Sequence, residues 1–219
     1  MAEIMRVYYL TAEEFALDNL KKKRIKISRL SDLNDPFELA VDLPKREDRN
    51  AFNKLKAQLN SKRGVICFSK AWENPVLWSH YADKHKGICL GFDVPDDMLV
   101  EINYTRKRLV VDIEKLLDRN ALNQTTIKIL TTKFEDWRYE DEVRFLVNLN
   151  ERDKDKDTEF FYKNFGEDVL LREIIIGPRC KTGRSRRKPY IAGCKPKVEI
   201  IKSRLAFRSF KVVRNLASK

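Results

Sequence analysis

Short apolar runs of β-branched and aromatic residues recur along this chain, separated by stretches of helical period. Arg6-Val-Tyr-Tyr-Leu10 reads as a strand, and Ile25-Lys-Ile-Ser28 alternates as a second one. Between them Thr11-Ala-Glu-Glu14 has the form of a capping box, so a helix is expected to about Lys23. Leu33-Asn-Asp-Pro-Phe-Glu38 is a turn, because Pro36 restricts Asp35 to an extended shape. Lys45 to Asn60 places Phe52, Leu55 and Leu59 on one helical face. Gly64 to Ser69 and Gly87 to Asp93 read as strands. Between those two, Asn74-Pro75 opens a helix carrying Leu77, Trp78, His80 and Tyr81, with Asn74 as its cap.

The second half is less regular. A helical stretch is expected from about Asp112 to Asp136, with a weak point at Thr125-Thr126. Glu142 to Val147 is a strand, and Asn148 to Asp157 reads as a mobile, charge-dense excursion. Val169 to Ile176, Val198 to Ile201 and Leu205 to Val213 are expected to close the sheet. With no repeat and no linker, residues 1–219 form one α+β domain on this reading, with residues 179–219 completing its sheet.

Composition adds two constraints. A chain of 219 residues that is 42% hydrophobic can bury a core without staples. No apolar run reaches the ~20 residues of a membrane span, so the expectation is a soluble, cytoplasmic protein without a membrane partner. Cys67, Cys89, Cys180 and Cys194 form no C-x-x-C pair and read as reduced thiols.

Charge changes the picture at one end. From Arg179 to Lys219 there are fourteen basic residues and one acidic one, while the preceding 178 residues are nearly balanced. Arg184, Arg186, Arg187 and Lys188 are its densest part and candidates for contact with nucleic-acid phosphates. Tyr190, Phe207 and Phe210 offer stacking surfaces beside it. Nothing in the sequence fixes an oligomeric state.

The familiar phosphate-binding loops are absent. His80 and His85 stand five apart without an evident third ligand, so no catalytic metal is expected. Chemistry concentrates in three polar-aromatic clusters: Asn34 to Glu38, Ser69 with Leu77 to Ala82, and Lys133 to Arg144. In the third, Glu140 and Glu142 are two apart at a strand start, a spacing that turns both to one face. Such a pair can stabilise positive charge developing at a sugar carbon and take a proton from a nucleophile. The alternative is surface carboxylates paired with Arg138 or Arg144.

The ordered motifs Asn34-Asp-Pro-Phe-Glu38, Trp78-Ser-His-Tyr81 with Gly87-Ile-Cys-Leu-Gly-Phe92, and Trp137-Arg-Tyr-Glu-Asp-Glu-Val-Arg144 resemble the domain-of-unknown-function family 2971. The resemblance runs from about Tyr8 to Phe210. More distantly, the order of elements is similar to ADP-ribosyltransferases, although Tyr8 and Tyr9 stand where those enzymes carry His or Arg. That similarity implies a split sheet flanked by helices and NAD as substrate. It implies that Glu142 holds the nicotinamide ribose and stabilises its cationic form, while Glu140 orients or deprotonates the acceptor. Tyr81 would stack on nicotinamide, with Tyr9, Thr11, Asn34, Ser69, Trp78 and His80 around the ligand. The acceptor would be a nucleic acid or a protein, in a setting of conflict between bacteria and phages. Two other readings remain open: a nucleic-acid-binding or nuclease-like module using Asp35, Glu38, Glu140 and Glu142, and a non-enzymatic phage or defence regulator.

Overall fold

The computed structural model describes residues 3–113, 122–150, 153–181 and 197–216. It is a mixed α+β fold in which a curled sheet carries helices on its faces. Strand β1 (Ile4–Thr11) leads into helix α1 (Glu13–Lys22) and β2 (Arg24–Arg29). The expected capping box does not form: Ala12 is the N-cap and no side chain bonds there, because Thr11 is still the last residue of β1. After the short β3 (Val41–Asp42), helix α2 (Arg46–Lys62) feeds β4 (Arg63–Ser69). Helix α3 (Pro75–Tyr81) has the Asn74 cap expected of it, with the Asn74 side chain accepting from Val76 N–H. Strand β5 (Ile88–Pro95) follows.

The stretch expected as one helix from Asp112 to Asp136 divides. Within the described residues, helix α4 (Leu122–Leu130) runs unbroken through Thr125-Thr126, whose β-branched side chains a helix tolerates at small cost. It gives way to the three-residue strand β9 (Thr132–Phe134), which pairs parallel with β7 (Asn103–Thr105). A 3-10 segment, Glu135–Glu140, then leads to β10 (Glu142–Asn148). Strands β6 (Leu99–Glu101), β7 and β8 (Leu109–Val110) are too short for a periodic signal in the sequence. Beyond β10 lie β11 (Phe161–Asn164), β12 (Leu170–Ile176), β13 (Glu199–Leu205) and β14 (Val212–Arg214). The stretch from Leu205 to Val213 is thus a hairpin turn between two strands rather than one strand. Asp155, in the excursion expected to be mobile, is tied to Arg24 at 2.5 Å.

Register decides where the sheet opens. Strand β10 pairs along the full length of β4, from Glu142↔Ser69 to Asn148↔Arg63. Since a strand residue has two edges, the other partners of β4 must lie opposite β10. There β2 takes only Gly64 and Val65, and β1 takes only Ser69. Strands β1 and β2 therefore diverge, and the edge of β4 between them, at Ile66–Phe68, is left without a ladder partner. β1 continues instead along the whole of β5, from Ile4↔Pro95 to Thr11↔Ile88.

Three apolar clusters hold this frame. Ala16 and Leu20 of α1 pack on Val7, Ile25, Ile27 and Phe68. Phe52, Leu55 and Leu59 of α2, the face read from the sequence, pack with Val65 and the end of α4. Trp78 of α3 is fully buried with Cys89, Ile175 and Val212, and its indole N–H donates to the Trp72 carbonyl at 2.6 Å. Trp78→Ala should cost about 3–5 kcal/mol, through lost burial and the cavity left behind. Asn74→Ala should cost about 1 kcal/mol, through loss of one cap. Urea unfolding of the two variants should show this order, and equal effects would mean that Trp78 does not anchor the third cluster.

Candidate active site

A cavity of about 200 Å³ fills the gap between β1 and β2. Its walls come from the ends of β1 and β4, the turn before Glu38, and Tyr81 at the end of α3. Its floor is an ionic cluster. The Glu135–Glu140 segment ends at Asp141, whose φ of 45° places it in the left-handed region that Asp adopts more readily than most residues. That turn, and not a shared strand face, brings Glu140 and Glu142 together. Both accept from the Lys133 ammonium, Glu142 at 2.8 Å.

Arg144 completes the cluster. It has no solvent exposure. Its guanidinium donates to Glu142 at 2.7 Å, to both oxygens of Glu38, and to the Leu130 carbonyl at 2.6 Å. The alternative of paired carboxylates is thus realised for Glu142, in the interior rather than on the surface. Arg138 pairs with Glu135 instead.

The two carboxylates are driven in opposite directions. Burial raises Glu140 above its ordinary value, and the Lys133 and Tyr81 bonds do not fully offset it. Burial would also raise Glu142, but Arg144 and Lys133 together outweigh it and hold that group at about 2. Lys133 itself is raised, because Glu142 and Glu140 overcome its desolvation. Tyr81 donates to Glu140 and accepts from the Asn34 amide at 2.8 Å, and burial pushes its hydroxyl upward.

The sequence candidates distribute as follows. Tyr9, Asn34, Ser69, Tyr81, Glu140 and Glu142 all line the cavity. Ser69 bonds within its own turn, to the Ala71 carbonyl at 2.6 Å. Thr11, Trp78 and His80 do not line it. Thr11, the residue after Leu10, is buried opposite Ile88, and Trp78 belongs to the core. His80 is exposed on the outer side of α3 and meets the Tyr139 hydroxyl at 2.8 Å. Arg184, Arg186, Arg187 and Lys188 lie outside the described residues. Asp35 caps its own turn by accepting from Phe37 N–H at 2.8 Å. For a nuclease-like metal centre, Glu38, Glu140 and Glu142 do converge, but Lys133 and Arg144 stand between them.

Sequence reasoning offers Arg144 as a carboxylate partner and groups Glu38 with Glu140 and Glu142, but it does not find Lys133 as the link between the two carboxylates. The signal for Arg144 was available, since residues two apart on a strand share a face. Lys133 had none, because it reaches the carboxylates only through the 3-10 segment.

Residues 77–145, about a third of the chain, match the family model described as "Protein of unknown function (DUF2971)". The match covers the second and third motifs and leaves Asn34 to Glu38 outside, a shorter extent than the resemblance from Tyr8 to Phe210. No curated protein and no solved structure matches the chain.

Arg144→Met should destabilise the fold by about 3–5 kcal/mol, because it leaves Glu38 and Glu142 buried with one cation between them. Acid should act through Glu142. Its folded pKa lies below its ordinary 4.5, so its contribution is present above that value and is lost as pH falls toward about 2. Over that interval, the free energy of unfolding followed by circular dichroism should fall less steeply in Glu142→Gln than in the wild type. Identical acid slopes would remove Glu142 as a contributor.

Proposed function

We propose that this protein transfers ADP-ribose from NAD to an acceptor, with a split sheet of the ADP-ribosyltransferase kind. The observation that carries this reading is the pair of buried carboxyls on one cavity floor with pKa values pushed apart. A pair so divided supplies one permanent charge and one proton acceptor. Glu142, held at about 2, is the permanent charge. Glu140, raised by burial and bonded to a tyrosine, is the proton acceptor.

The charge of the cluster supports the same division. Glu38, Glu140 and Glu142 stand against Lys133 and Arg144, so with all groups ionised the floor carries one net negative charge. Buried and fixed, such a charge favours a cation developing at a sugar carbon and needs no reorganisation to do so. The bond from ribose to the nicotinamide nitrogen would break, its electron pair leaving with nicotinamide. A new bond would form from the same carbon to an acceptor oxygen or nitrogen, whose proton passes to Glu140.

The cavity suits one end of such a substrate. Its volume of about 200 Å³ is below the ~300 Å³ at which sites for whole drug-sized ligands begin. It fits a nicotinamide-ribose end, with the remainder of NAD outside. Tyr81 offers a ring at the wall, and Asn34 fixes its hydroxyl. The divergence of β1 and β2 along β4 is the kind of gap that a split sheet provides.

Labelled NAD incubated with the protein and a cell lysate should deliver label to protein, RNA or DNA, and calorimetry should show NAD binding. Glu142→Gln should lower the rate by ~10²-fold or more. Glu140→Gln should lower it by ~10²–10⁴-fold while NAD still binds. Neither NAD binding nor label transfer by the folded wild type, or full activity in both variants, would end this reading.

A further inference from the structure

We propose that a second cleft, on the other side of Lys133 from the cavity, binds single-stranded nucleic acid. The cleft encloses about 270 Å³ and lies between the turn at Phe37–Ala40, the loop Thr105–Arg108 after β7, and β9. Lys133 lines both this cleft and the cavity above.

Its chemistry is basic and aromatic. Arg106, Lys107 and Arg108 are consecutive and exposed. The loop is shaped by its own backbone, with Lys107 N–H donating to the Thr105 hydroxyl at 3.1 Å. Among the described residues no carboxylate lies within ion-pair distance of the three, although Arg106 exerts a longer-range pull on Glu135. Two exposed aromatic rings, Phe37 at 56% and Phe134 at 42%, line the same cleft. The Arg108 guanidinium lies 5.4 Å from the centre of the Phe37 ring, so a planar cation and a ring stand side by side.

Free guanidinium groups take phosphates, and exposed rings take the faces of unstacked bases. A duplex keeps its bases stacked on each other and has no use for the rings. An acidic peptide would use the cations and leave the rings uncovered. The combination therefore selects a single strand. Through Lys133 the bound strand would lie beside Glu140 and Glu142, where it could present an acceptor group. That last role rests on the transfer reading, whereas the binding does not.

The test uses the full chain and a fluorescein-labelled oligo(dT), with anisotropy followed over a salt series and no NAD present. Arg106→Ser combined with Arg108→Ser should flatten the log–log salt slope by about 1.4, at ~0.7 per phosphate contact for single strands. Phe37→Ala combined with Phe134→Ala should weaken binding about tenfold or more and leave the slope unchanged. Ultraviolet cross-linking of the wild type should attach the oligonucleotide at Phe37 or Phe134, a readout that does not depend on either variant folding. The proposal is overturned if cross-links fall only elsewhere, such as the C-terminal basic block, or if both double variants bind as the wild type does. It is overturned equally if duplex DNA binds as tightly as the single strand, or if poly-glutamate displaces it. Binding without label transfer would sink the enzymatic reading and leave this one standing.

Discussion

A cation that cannot lose its proton and has no access to water must be satisfied from within the protein. Arg144 is in that position, and the cavity is arranged around it. Its bonds join three segments that are distant in sequence: the turn at Glu38, the start of β10 at Glu142, and the last carbonyl of α4 at Leu130. The last contact also sets a positive charge at a helix C-terminus, where the dipole favours it. Such a cluster adds little net stability compared with apolar residues of the same volume. What it supplies is a fixed geometry, since displacing any one segment would leave a buried charge unpaired.

Lys133 has the complementary part. Arg144 joins the cluster to the frame, and Lys133 joins the two carboxylates to each other. It is carried on β9, a strand of three residues held by parallel pairing with β7, and Tyr104 of β7 accepts the Glu142 N–H through its hydroxyl at 2.8 Å. The short ribbon of β7 and β9 therefore positions both the cluster and the basic loop that follows β7. Two concave surfaces of different character, one acidic at its floor and one basic and aromatic, end up sharing a single side chain.

Much of this was legible in the chain because local rules were obeyed. The periodicity of Phe52, Leu55 and Leu59 did set the buried face of α2, and Asn74-Pro75 did start α3. The strands containing Val65, Leu90 and Ile174 read as apolar runs because both of their faces are covered. Local rules misled where a neighbour in sequence was claimed by another element. Thr11 could not cap α1 because β5 pairs with it, and the supposed long helix after Asp112 broke at Thr132 because β7 offers it a ladder. Pairings of three residues leave no period to read.

The candidate site divides along the same line. The sequence determined which residue types were at hand: two glutamates two apart, an arginine two further on, and aromatic residues on a capped helix. Trp78 and Tyr81, three apart on one helix, share a face, and the expectation from that spacing that Trp78 enters the core while Tyr81 borders the pocket agrees with the structure. The tertiary structure decided that Glu140 and Glu142 meet by a left-handed turn at Asp141, that burial raises Glu140 while Arg144 and Lys133 hold Glu142 down, and that His80 faces outward. It also decided that β1 and β2 part along β4 and leave room for a ligand. The reason is physical: charge interactions act over a few ångströms in space, whatever the separation along the chain. A carboxylate's behaviour therefore depends on partners that only folding brings near.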